Sequence, residues 1–129
     1  MSSLETFGRE LDAELKKKLT LASKVVRKVA FNGHRNIVKS TPLDTGRARA
    51  NWQIDLNGTN ETDIESLLPP DGERAKLNNF KLGDVIHIFN NVEYIIPLEY
   101  GLSNQAPSGW VRSEAIRMDK KLSQAFKAI

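Results

Sequence analysis

The chain has 129 residues, 40% of them hydrophobic and 27% charged, a length for one domain (1–129) with a modest core and a composition that excludes disorder. It has no cysteine, which excludes disulfide staples and thiolate metal sites and fits a reducing compartment. The net charge is only +3 but is segregated, since residues 15–39 hold eight basic side chains and no acid while residues 44–65 hold two arginines against five acids.

In chain order, Leu4, Phe7, Leu11, Leu15, Leu19, Ala22, Val26, Val29 and Ala30 recur at spacings of three and four, the stripe of an amphipathic helix. Gly33 interrupts the pattern and Ile37 and Val38 resume it. Pro42 disfavours helix at Thr41, so the helix should stop near Ser40. Such a rod is about 50 Å long at ~1.5 Å per residue. That is long for so small a domain, and its far end needs something else to lie against, such as another subunit. His34 is expected on the exposed basic face of this helix. No apolar run reaches the ~20 residues of a membrane span. The N-terminus lacks the basic start and apolar stretch of a signal peptide, and none is expected.

Residues 50–56, "ANWQIDL", alternate with Trp52, Ile54 and Leu56 on one side and predict a strand with one wet face. Residues 57–72 form a polar, turn-rich excursion loop, expected to order only on docking. Asp71 is placed to cap a short helix over residues 73–80 that Gly83 ends. "DVIHIF" and "EYIIPLEY" then flank Asn90-Asn91 and predict a β-hairpin with two partly apolar faces, one of them needing cover from a neighbour. Pro97 inside its second strand calls for an edge or a bulge. After the loop "GLSNQAPSG", Ser108 opens a helix to Ile129 with Val111, Ala115, Met118, Leu122, Phe126 and Ile129 on one stripe. The fold class is therefore α+β: a long N-terminal helix and a C-terminal helix packed on a small, mostly antiparallel sheet, with the long loop between first strand and hairpin.

The tripeptide Asp44-Thr45-Gly46 also carries the catalytic aspartate of dimeric aspartic proteases, which need two such aspartates at the ends of buried strands. Here it follows a basic helix, is trailed by the bulky Arg47 and Arg49, and has no glycine-rich flap to go with it. A turn is the simpler reading, with Asp44 accepting nearby backbone N–H groups and Gly46 supplying a conformation other residues resist. Arg47 and Arg49 then stand where the chain enters the sheet, ready to pair with an acid of this chain, an acidic strip of a neighbour, or phosphate. His34 and His87 share no ligand-like spacing, and no phosphate-cradling loop or nucleophile elbow is present. No cofactor, metal or enzymatic activity is expected.

Three pieces in order, "TPLDTGRARANW", "LGDVIHIFNNVEYIIPLEYGLSNQAPSGWV" and a closing amphipathic helix, resemble the tail-completion or neck (minor tail) proteins of long-tailed bacteriophages. The resemblance spans the whole chain. It departs from the family at Ile95-Ile96-Pro97, where a small residue is more usual after the tyrosine, and at the bulky Trp110. What it implies is a non-enzymatic virion protein. Such a subunit forms a ring of copies of itself, usually six, joining the head connector to the tail tube or tail terminator, with DNA passing through the bore.

On that reading the subunit interface draws on Arg47, Arg49, Trp52, Ile86, Ile88, Tyr94, Tyr100, Gln105 and Trp110. The four aromatics among them serve as core or interface anchors. The bore takes Lys16, Lys17, Lys18, Lys24, Arg27, Lys28 and Arg35, unless these are simply solvated. The protein would sit in the virion neck or tail, and in host cytoplasm during assembly. The alternatives are a tail terminator that caps the tube and, from another class, a small DNA-binding protein using the basic helix.

Overall fold

The computed structural model describes residues 3–43, 46–101 and 109–129. The architecture is α+β and mostly helical, with a long N-terminal helix, a C-terminal helix and a small two-stranded antiparallel sheet. Helix α1 runs over Ser3–Ser40 as the spacing predicts. Its end is secured by side chains. The Thr41 hydroxyl donates to the Ile37 carbonyl at 2.7 Å, and Arg49 Nη2 donates to the Lys39 and Thr41 carbonyls at 3.2 and 2.9 Å, satisfying acceptors that a helix C-terminus leaves over.

A single turn, α2 (Arg47–Ala50), precedes the strand, so β1 spans Gln53–Leu56 and begins later than the alternation suggested. Gly46 opens α2 at φ 85°, and a Cβ there would lie 2.9 Å from the Leu67 carbonyl oxygen, so both the backbone angle and the space require glycine. Asp44 and Thr45, the other two residues of the expected turn, lie outside the described residues. Residues 71–79 form a 3-10 helix, Asp71–Asn79, rather than an α-helix over 73–80. No side chain caps its start, and it ends before Gly83, where Phe80 turns extended.

Strand β2 (Ile86–Phe89) pairs antiparallel with β1, setting Ile54 opposite Ile88 and Leu56 opposite Ile86 on the inner face. Gln53, Asp55, His87 and Phe89 occupy the outer face. The expected hairpin about Asn90-Asn91 does not form. "EYIIPLEY" instead gives the short helix α3 (Ile95–Glu99). Pro97 explains the outcome, because it has no N–H to give a ladder but sits in the first turn of α3, where amides lack intrahelical partners anyway. The two asparagines hold other segments: Asn90 Nδ2 donates to the Ala48 carbonyl, and Asn91 Nδ2 to those of Asn60 and Thr62.

Helix α4 covers Trp110–Ala128 and lies antiparallel on α1, with Met118 over Gly33 and Glu114 bonded to Asn36. A Cβ at Gly33 would meet the Met118 sulfur at 2.4 Å, so the glycine that breaks the apolar stripe makes room for the Met118 side chain of α4. The core has two parts. Ile37, Val38, Trp52 and Trp110 form one, with Ile88, Ile95, Leu98 and Val111 against it; Ala30, Ile54 and Leu77 form the other.

His34 is fully buried between them, contrary to its expected exposure. Its Nε2 donates to the Trp52 carbonyl at 2.8 Å and its Nδ1 accepts from Arg74 Nε at 3.0 Å, which fixes a neutral ring. Burial lowers the His34 pKa below the usual imidazole value, with the Arg74 cation adding to the effect, while the Trp52 carbonyl and the Glu73 and Asp71 carboxylates oppose it.

Candidate interaction surface

The residues singled out in the sequence fall into three places. Around the Asp-Thr-Gly segment, Arg47 pairs with Asp63 and, at 3.7 Å, with Glu93, and its guanidinium lies 5.6 Å from the centre of the Tyr94 ring. Arg49 is spent on the end of α1. Both arginines are therefore engaged within the chain. The excursion loop is held down as well, against the expectation that it waits for docking. Asn51 exchanges two hydrogen bonds with Ile64, Gln53 Nε2 donates to the Thr62 carbonyl, and Asn60 Nδ2 reaches Gln53 and Asp55 on the outer sheet face. These contacts lie over the β1 part of the outer sheet face.

The second place is the junction of α3 and α4. Glu99, buried at the end of α3, accepts from the Val111 and Arg112 amides at 3.0 and 3.1 Å and from Arg112 Nε at 2.9 Å. It thereby supplies the cap that Gly109, lacking a side chain, cannot give α4. Beside it runs a groove of about 300 Å³ lined by Trp52, Ile95, Ile96, Tyr100 and Val111, in which Ile96 and Tyr100 stand 67% and 64% exposed. Of the expected interface residues, Tyr100 is at its rim and Tyr94 is half-buried. Trp52 and Trp110 are corrected to the chain's own core, and Ile86 and Ile88 to the half-buried inner sheet face. Gln105 lies outside the described residues.

The third place is the N-terminal half of α1. Extrapolating the antiparallel pairing at ~1.5 Å per residue puts Ile129 opposite about residue 22. Among the described residues the stripe before that point stays largely open: Leu4, Phe7, Leu11, Leu15 and Leu19 are 77%, 56%, 54%, 56% and 47% exposed, Leu19 bordering a hollow it shares with Phe80 and Leu82. They continue the face that Val29, Ala30, Gly33 and Ile37 bury further along, so the exposed and buried residues form one line of apolar side chains. Lys16, Lys17, Lys18, Lys24, Lys28 and Arg35 are exposed around the rod and Arg27 is half-buried. Phe31 shares its surroundings with Arg74, whose guanidinium lies 5.3 Å from the ring centre.

No group of His, Asp or Glu among the described residues could hold a metal ion, and no helix there is long and apolar enough to cross a membrane. Sequence reasoning missed Glu99, Arg74 and the amide contacts of Asn51 and Asn60, whose partners are distant in sequence. No protein family, curated protein or solved structure matches the chain.

Proposed function

We propose that this chain is a non-enzymatic structural subunit of a long-tailed bacteriophage, forming a ring, six copies in the related family, at the head-proximal end of the tail. There it completes the tail and joins it to the head connector, and DNA passes through the bore. One observation carries the reading: the chain leaves apolar surface uncovered in two unlike places, the stripe of α1 and the groove between α3 and α4. Unlike surfaces call for head-to-tail contacts, which close into a ring when the rotation allows. The exposed lysines of α1 offer the bore a positive lining for packaged DNA. The motif residues Gly46 and Arg49 support the same reading indirectly, since they hold together a small domain that presents these surfaces.

The test is electron microscopy of particles assembled without the protein, together with light scattering of the protein mixed with isolated tails. Filled heads beside separate, finished tails support tail completion, and rings at tail ends support it further. Tails of uncontrolled length point instead to a terminator. Tight binding of free duplex DNA that weakens steeply with salt, with normal particles formed in its absence, would replace the reading with that of a DNA-binding protein.

A further inference from the structure

We infer that the free protein pairs two-fold through the first half of α1, the exposed stripe of one copy lying antiparallel on that of a second. This pairing belongs to the protein in solution, independently of the ring. Residues 3–18 make a helix of about 24 Å whose side chains are exposed, before Leu19 and Thr20 share a hollow with Phe80 and Leu82, and helices of this length owe most of their stability to packing of an apolar face. The stripe complements its own reverse. When Leu11 faces the second copy's Leu15, Phe7 faces Leu19 and Leu4 faces Ala22, so apolar side chains meet along the whole overlap. From Leu4 to Ala22 the spacing averages about 3.6 residues, the natural helical repeat, so the rods stay in register with almost no supercoil.

Charge fixes the direction. Asp12 and Lys16 flank the stripe on one side, Glu10, Glu14 and Lys18 on the other, and all five are exposed. Antiparallel helices bring like flanks together. Asp12 then meets the second copy's Lys16, and Glu10 meets its Lys18, each pair occurring twice. Asp12 and Glu14 each approach their own counterparts near the two-fold axis, with Lys16 and Lys18 one turn on to offset them. A parallel pair would set Asp12 against both Glu10 and Glu14 and leave Lys16 between Glu14 and Lys18, so repulsive contacts outnumber attractive ones. Gly8 lies within the stripe with open space where a Cβ would stand. A two-fold contact uses each stripe once and cannot propagate around a ring, so the pair is a form of the unassembled protein.

Sedimentation of the full chain should give twice the chain mass at micromolar concentration. Leu11→Asp should raise the dissociation constant at least tenfold, and Leu21→Lys, off the stripe, should leave it within about twofold. Tryptophan fluorescence unchanged in both variants shows that the body is still folded. Orientation is read by disulfide trapping, which is clean because the chain has no cysteine. Oxidising a mixture of Leu11→Cys and Leu15→Cys chains should give mostly mixed dimers. Wild-type protein of single-chain mass throughout would overturn the inference, as would a dimer indifferent to Leu11→Asp. Crosslinks forming mainly between like variants would also refute it.

Discussion

Glu99→Ala tests how α4 is held. The carboxylate takes the second and third amides of that helix and the Arg112 Nε, at 2.9 to 3.1 Å, and its side chain is 11% exposed. A lost cap costs about 1 kcal/mol, and a partly buried charge at a helix N-terminus adds up to about 2. The Arg112 side of the pair is 52% exposed, so the ion pair itself contributes under about 1 kcal/mol. The expected loss is about 2–3 kcal/mol for Glu99→Ala and about 1 for Glu99→Gln, which keeps an acceptor oxygen but not the charge. With a urea m-value near 2 kcal/mol/M the alanine variant's midpoint falls by about 1 M or more. Equilibrium urea unfolding followed by circular dichroism gives the answer. If Glu99→Ala stays within about 0.5 kcal/mol of wild type, or Arg112→Ala costs as much, then the carboxylate is not the cap and the reasoning fails.

His34 predicts an acid-sensitive fold. Its folded pKa lies below the usual imidazole value of 6.5, so the unfolded chain binds the extra proton between the two values. Stability is then complete above about pH 6.5 and falls as the pH drops toward the folded pKa, by at most about 1.4 kcal/mol per unit. Urea midpoints at pH 7.5, 6.5 and 5.5 measure this, and a flat or rising trend toward acid contradicts it. Thr41→Val removes the acceptor of Trp52 Nε1, 2.8 Å away, and leaves that buried indole N–H unpaired. It should cost about 1–3 kcal/mol and shift tryptophan emission; a cost below about 0.5 would mean the indole finds another partner.

What was legible in the sequence is what repeats locally. Apolar spacing gave both long helices, and alternation gave the residues of β1 and β2. Strand pairing was misjudged because a proline in an apolar run was treated as a flaw in a strand, when it was evidence for the first turn of a helix. His34 was legible and misread: it stands four residues after Ala30 and three before Ile37, on the buried face, and only its polar type suggested exposure. Its partner Arg74 is 40 residues away, and no local pattern connects them. Glu99 likewise acts on amides 12 and 13 residues on, across a loop. The uncovered apolar surface was expected on a hairpin and is found on α1, where excess helix length had already pointed to a missing neighbour.

The fastening of residues 57–72 has a chemical consequence. Asn51, Gln53, Asn60 and Asn91 secure that segment by carboxamide groups bonded largely to peptide oxygens and nitrogens. A carboxamide neither gains nor loses a proton between mild acid and mild alkali. Most of the tether therefore ignores acidity and ionic strength, while the Arg47–Asp63 and Asp71–Arg74 pairs at its two ends respond to salt.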